Sequence, residues 1–363
     1  MQHLLGARKM FLQWQSIASM EVENEGGNQW TPSTAMGDPE QSFLVGILAY
    51  WEALMSFVVD QPLNSVDYLK PFCDQSSLEL IPPNPWSGIC TPLFVYLAQV
   101  GILVRQARLS SKVNSLGWSW RFGDLRKDLL QAASDVERDI LNYTVPPVSK
   151  LCDTGDPETP LSLLQTLANG YKLASLLELY RSFPDLLAAQ TTIGSFYSAI
   201  EWTSHVNPDS TQSPGRDWTS GQLRRNLFMD MARTVLRLVK ETPSGRGISM
   251  VFTLAMVISG SVLCDIPDDT ATQTPDRNIV GLLAFLSMRC TDIATWRDFV
   301  RIRVRANSKA IALESFERTE RLLDETWSRM DIIRNRKGPD RHDPLSVLWV
   351  DVMSECRLET IYG

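Results

Sequence analysis

Apolar positions recur along this chain at three- to four-residue spacing, the period that gathers side chains on one face of a helix. Phe43, Ile47, Trp51, Leu54 and Val58 form one such series and are expected to share a buried face. The series follows Asp38-Pro39-Glu40-Gln41, in which the aspartate can accept from the orphan N–H groups of a first turn and proline takes the first helical position. Pro62 stops it. Thr91-Pro92 and Thr159-Pro160 repeat the grammar of a capping hydroxyl, a proline and an apolar-periodic run. The first run carries Leu93, Leu97, Val100 and Val104. The second carries Leu161, Leu164, Leu167, Tyr171, Ala174 and Leu177, until Pro184 ends or kinks it.

The same patterning predicts helices over 124–142, 185–206, 219–241, 248–264, 278–306, 309–335 and 345–361, and the first residues also read as helix. Segments rich in Pro, Gly, Asn, Asp and Ser separate these runs at 21–38, 61–91, 143–159, 207–218, 265–277 and 337–344. Alternation at period two is scarce. The predicted fold is therefore all-α, an irregular bundle of about ten helices. With no clear linker and no repeat at solenoid period, residues 1–363 are expected to form one compact domain or two packed helical lobes. Within 309–335 the pairs Glu314/Arg318, Glu317/Arg321 and Glu325/Arg329 place the acid four residues ahead of the base, the favourable order on an exposed helix.

Composition adds limits. At 363 residues and 44% hydrophobic the chain can bury a large core. Its 35 basic and 42 acidic residues leave a net charge of −7, so the chain as a whole is not a counterion-releasing nucleic-acid binder. The six cysteines, Cys73, Cys90, Cys152, Cys264, Cys290 and Cys356, are scattered, with no CxxC pair, which fits a reducing compartment better than a disulfide framework. Arg8 and Lys9 lead into a helix-like run rather than a secretory signal, so the chain is expected to stay inside the cell, and the sequon Asn142-Tyr143-Thr144 reads as a chance match. The uncharged stretch 247–264 barely reaches membrane-spanning length and carries Ser249, Thr253, Ser259 and Ser261. It reads as a buried core helix, and no membrane partner is expected.

Catalytic signatures are missing. His3, His205 and His342 each stand apart from other metal ligands, and the sequence lacks the phosphate-loop, dinucleotide, zinc-hydrolase and serine-hydrolase motifs. No catalytic, cofactor-binding or metal residue is assigned. Asp265, Asp268 and Asp269 resemble only loosely the aspartates that hold magnesium in helical isoprenoid enzymes, because Pro267 interrupts them and no second metal motif follows. Arg297, Arg301, Arg303, Arg305 and Lys309 form the densest basic run, and arginines on a helix can grip phosphates. Beside Glu314, Glu317 and Glu320, and without interleaved exposed aromatics, the run reads as a solvated face. Tryptophans such as Trp14, Trp51, Trp86, Trp202, Trp296, Trp327 and Trp349 could line a ligand cavity, although core packing is the expectation for any one of them.

Several local patterns occur in a suggestive order: Leu5-Gly6-Ala7-Arg8, Leu48-Ala49-Tyr50-Trp51-Glu52-Ala53-Leu54, Asn84-Pro85-Trp86-Ser87-Gly88-Ile89 and Ala174-Ser175-Leu176-Leu177-Glu178-Leu179-Tyr180, then Glu325-Thr326-Trp327 and Leu348-Trp349-Val350-Asp351-Val352-Met353. Over nearly its whole length the chain resembles the fungal-specific transcription factor domain, the regulatory region that follows the zinc binuclear cluster in many fungal transcription regulators. That resemblance implies an all-helical regulatory domain without catalytic residues, acting in the nucleus or between nucleus and cytoplasm. Its implied partners are coactivators or other transcriptional machinery, a small-molecule effector, and a second copy if the domain dimerises. The six-cysteine zinc cluster of full-length members is absent, so zinc is expected only in a missing amino-terminal cluster, and DNA contact only through that or a partner-supplied one. The chain is accordingly expected to be a fragment, a mis-started gene product or a regulator that has lost its DNA-binding module. The rival expectations are a stand-alone protein-binding or dominant-negative module and, third, a magnesium-dependent helical isoprenoid enzyme.

Overall fold

Helices account for the regular structure of the described residues. The structure, a computed structural model, describes 2–25, 31–74, 78–114, 122–189, 221–243, 247–265, 293–311, 314–336 and 343–359. Among these residues there is no strand, only the isolated bridges Ile81–Leu151 and Asn84–Gly88. The all-α prediction holds. The chain divides into two units, Met1–Thr219 and Ser220–Gly363.

The first unit contains α1 (Gln2–Glu25), α2 (Pro32–Gly37), α3 (Pro39–Val58), α4 (Thr91–Asn114), α5 (Phe122–Asn142), α6 (Leu161–Ser182) and α7 (Pro184–Ala189). Helix α4 is central, packing against α3, α5 and α6. It is apolar on several sides at once: Leu93, Phe94, Val95, Leu97, Val100, Ile102 and Val104 are all buried. The series predicted for it is therefore buried in full.

Helix α3 begins where the sequence indicates. Oδ1 of Asp38 accepts from the backbone N–H groups of Glu40 at 2.9 Å and Gln41 at 3.0 Å. Of the predicted series Leu54 is buried, but the buried face otherwise runs through Val45, Ala49, Ala53 and Phe57, whereas Phe43 is exposed and Ile47, Trp51 and Val58 are half-buried. Close approach to α4 favours the narrow side of the helix: a Cβ at Gly101 of α4 would stand 2.0 Å from Oγ of Ser56 on α3. The two threonine caps also differ. Thr91 is already helical and its hydroxyl pairs with that of Ser87 at 2.6 Å, while Thr159 donates to Asp156 at 2.7 Å and Pro160 takes the cap position of α6. Pro184 ends α6 and opens α7, and the predicted helix 185–206 lies outside the described residues beyond Ala189.

The second unit contains α8 (Gly221–Glu241), α9 (Gly247–Val251), α10 (Thr253–Gly260), α11 (Ile293–Ile311), α12 (Glu314–Asn335) and α13 (Trp349–Glu355). All eight residues of α10 are buried, and α10 packs against α8, α11 and α12. The predicted continuous helix 248–264 is divided at Phe252, so this stretch is too short to span a bilayer as a single helix. Helix α3 is the described helix long and apolar enough for that, with 67% of its 18-residue window buried inside the fold. Helix α13 is shorter than predicted. Arg357 adopts φ 53° and the Leu358 N–H returns to the Met353 carbonyl at 2.8 Å, a left-handed helix stop. Of the three acid-first pairs, Glu325/Arg329 closes at 2.9 Å.

Candidate functional site

Two of the sequence patterns meet at one buried carboxylate. Glu52, near the middle of α3, is fully shielded from solvent, and Arg8 of α1 donates to it through Nε and Nη2, both at 2.5 Å. Tyr68, in the 3-10 turn Asp67–Phe72, donates its hydroxyl to Oε1 of Glu52 at 2.7 Å, and Arg8 also donates to Gln61. Burial, followed by the charge of Glu52, pushes the Tyr68 phenol far above its ordinary range and keeps it a donor. Arg8 and Tyr68 thus occupy acceptor positions on Glu52, and the three make a clasp that fastens α1 and the turn to α3.

The pattern 84–89 is a second fastening. Oδ1 of Asn84 accepts from the N–H groups of Trp86 at 2.8 Å and Ser87 at 2.9 Å, and its Nδ2 donates to the carbonyl and hydroxyl of Ser42. Gly46 admits the Asn84 amide against α3, since a Cβ there would overlap it, and Gly88 supplies the φ of 60° that the turn requires. Trp86 stays partly exposed, edge-on to Phe43 at 6.4 Å and to Tyr50 at 6.0 Å. In the pattern 174–180, Glu178 and Tyr180 are buried on α6, and burial together with the neighbouring Glu137 pushes the Tyr180 phenol well up. Lys172 Nζ on the same helix closes the end of α5, donating to the carbonyls of Tyr143 at 2.6 Å and Leu141 at 3.3 Å.

The basic run on α11 is largely committed to internal partners. Arg297 donates to Asp331 at 2.7 and 3.0 Å and to the Leu263 carbonyl at 2.8 and 3.1 Å. Arg301 pairs with Asp324 at 2.8 Å and Asp298 at 2.9 Å, and Arg305 pairs with Glu320. The guanidinium groups of Arg297 and Arg301 lie 5.3 and 4.9 Å from the ring centre of Trp327, whose indole N–H donates to the Gly260 carbonyl at 2.8 Å. Arg303 differs in facing backbone: Nη2 donates to the carbonyls of Val239 at 3.0 Å and Thr242 at 2.9 Å. Arg297, Arg301 and Arg303 thus cross-link α11 to its surroundings, while Arg305 and Lys309 are exposed, as expected of a solvated face.

One turn beyond Arg303, the fully buried Asn307 accepts from the Ser249 hydroxyl at 2.9 Å and donates to the Ser249 carbonyl and the Thr253 hydroxyl, both at 3.1 Å. Sequence reasoning missed this network. Its signal was the spacing of Arg303 and Asn307, four apart on a helix that otherwise turns Val300 and Val304 inward.

Of the acidic cluster, Asp265 pairs with Arg334 at 2.8 Å, while Asp268 and Asp269 lie outside the described residues. Among the described residues no three His, Cys, Asp or Glu side chains form a metal-binding group. Cys73, Cys90, Cys152, Cys264 and Cys356 are free thiols, and Cys290 lies outside the described residues. Burial pushes the thiols of Cys73 and Cys264 up to about 12 and about 11, which keeps them protonated at neutral pH. Trp327 and Trp349 are core residues, Trp14, Trp51 and Trp296 are half-buried, and Trp202 lies outside the described residues. His3 is exposed, whereas His205 and His342 are not among the described residues.

The family model described as fungal specific transcription factor domain matches residues 1–363. No curated protein and no solved structure matches the chain.

Proposed function

Because the chain belongs to the fungal-specific transcription factor domain family, we propose that it is the regulatory domain of a zinc-cluster-type regulator, its output changing when a protein partner or small effector shifts its helical packing. Family membership supports a role in transcription regulation. The observation that carries the proposal is the match over residues 1–363, accompanied by motif residues that make packing contacts: Arg8 with Glu52, Asn84 with Ser42, Trp327 with Gly260. In this scheme the domain works in the nucleus, its partners are coactivators or other transcriptional machinery, and DNA is contacted by a zinc cluster supplied outside this chain. The arginines of α11 favour that division of labour, since Arg297, Arg301 and Arg305 already neutralise acids within the fold.

The test is to tether the chain to a bacterial operator-binding domain in a fungal host and read a reporter behind the matching operator. The expected result is reporter output different from that of the tether alone, with a fluorescent fusion concentrated in the nucleus. An unchanged reporter, together with an unchanged transcriptome in a deletion strain, would overturn the proposal.

A further inference from the structure

The break between α9 and α10 has a side chain in it. Periodicity predicts one helix over 248–264, and the local sequence does not explain the interruption, since Ser249-Met250-Val251-Phe252-Thr253 holds neither proline nor glycine. A continuous helix would carry the Thr253 N–H to the Ser249 carbonyl, four residues back. That bond is not formed: α9 stops at Val251 and α10 starts again at Thr253. The Ser249 carbonyl accepts instead from Nδ2 of Asn307 at 3.1 Å, and the same nitrogen reaches the Thr253 hydroxyl at 3.1 Å. Oδ1 of Asn307 accepts from the Ser249 hydroxyl at 2.9 Å. A side-chain amide of α11 is thus inserted into the hydrogen-bond ladder of the neighbouring segment, at the two residues that the missing bond would join, and such an insertion kinks a helix. Ser249, Thr253 and Asn307 are all buried, so these bonds replace water rather than compete with it.

We propose that α9 and α10 are a two-state element: with the Asn307 amide seated they are two helices broken at Phe252, and with it withdrawn they join into one helix over 247–260. The backbone is served in either state. The Ser249 carbonyl has the Asn307 amide in the first and the Thr253 N–H in the second, where the threonine hydroxyl turns back to a carbonyl of its own helix. Asn307 is served only in the first. A buried amide stripped of its partners loses more than one backbone bond returns, so the broken state is the resting one. The balance depends on where α11 stands. Arg303, one turn before Asn307, donates to the Val239 and Thr242 carbonyls at the end of α8, so α11 grips the chain at Thr242 and again at Ser249. A shift of α11 that draws the amide away from Ser249 favours the joined helix, and packed elements answer small shifts by changing between discrete arrangements. The proposal rests on the packing-shift reading above only for its regulatory consequence, and the element itself is tested without a reporter.

The experiment is amide hydrogen exchange of the full chain, resolved to single residues. The reference is the Met256 N–H, which bonds to the Phe252 carbonyl at 3.0 Å and keeps that bond in the joined helix. In the wild-type chain the Thr253 amide is expected to exchange roughly tenfold or more faster than Met256, the scale of one hydrogen bond. In Asn307→Leu and Asn307→Ala, which have no amide to strand, Thr253 should slow toward Met256 by a similar factor. Ser249→Ala keeps both Nδ2 bonds while losing a third, so it should retain the fast Thr253 amide and separate joining of the helices from a general change in stability. If neither Asn307 variant folds, the wild-type comparison remains decisive. Equal protection of Thr253 and Met256 in the wild-type chain overturns the proposal. So does a folded Asn307 variant whose Thr253 amide stays fast, or a Ser249→Ala protein in which it slows as much. A tethered reporter unmoved by Asn307→Leu, while the Thr253 amide slows, would leave the element standing and remove its regulatory consequence.

Discussion

A carboxylate sealed inside a helical core keeps its charge only if donors replace the water it lost, and Glu52 has three such bonds, two from Arg8 and one from Tyr68. The cost of breaking the clasp should be dominated by the stranded carboxylate rather than by the lost contacts. Replacing Arg8 by Met is expected to lower stability by about 3–5 kcal/mol, the penalty for removing one partner of a buried pair. Tyr68→Phe removes one hydrogen bond to a charged group and should cost about 1.5–3 kcal/mol. The Arg8→Met, Glu52→Met double variant should be less destabilised than the sum of the single variants, because it strands no charge. Urea unfolding across the four proteins of that cycle measures the coupling, and additive losses would mean that the pair contributes only ordinary packing.

At the scale of the element, α3 shows what spacing can and cannot decide. Its start was readable because Asp38 acts on the N–H groups of Glu40 and Gln41 within its own turn. Its buried side was not, because the helix is apolar almost all round and the periodicity of Phe43, Ile47 and Trp51 competes with the small-residue side that α4 approaches. The threonines before Pro92 and Pro160 were misread for a related reason: Ser87 and Asp156, also local, compete for their hydroxyls. The closeness of α3 and α4 itself yields a prediction. Gly101→Ala should destabilise by about 1–3 kcal/mol through overpacking against Ser56, despite alanine's advantage of about 1 kcal/mol in helix propensity. Adding Ser56→Ala removes the nearest atom and should recover part of the loss. A stabilised Gly101→Ala protein, measured by the same unfolding experiment, would show that the two helices have room to spare.

At the scale of the molecule, the fastenings found in the described residues fall within one unit or the other, which the sequence could not show because their partners are far apart in the chain. Arg8 and Glu52 are separated by 44 residues, Asn84 and Ser42 by 42, and Trp327 and Gly260 by 67. The order of the patterns identified the family, while the pairing among them required the fold. Met1–Thr219 holds the Glu52 clasp, the Asn84 turn and the buried α4, and Ser220–Gly363 holds the buried α10, the Asn307 network and the Trp327 bond. A unit with its own apolar core and its own buried polar partners meets the conditions for folding alone. The fragment Met1–Thr219 is therefore expected to express as a helical protein with a cooperative thermal transition, followed by far-ultraviolet circular dichroism. Introducing Arg8→Met should lower the midpoint of the fragment as it lowers that of the full chain. A fragment that is helical but melts without cooperativity would mean that its core needs the remainder of the chain to hold a single packing, since helix content survives the loss of specific packing and a sharp transition does not.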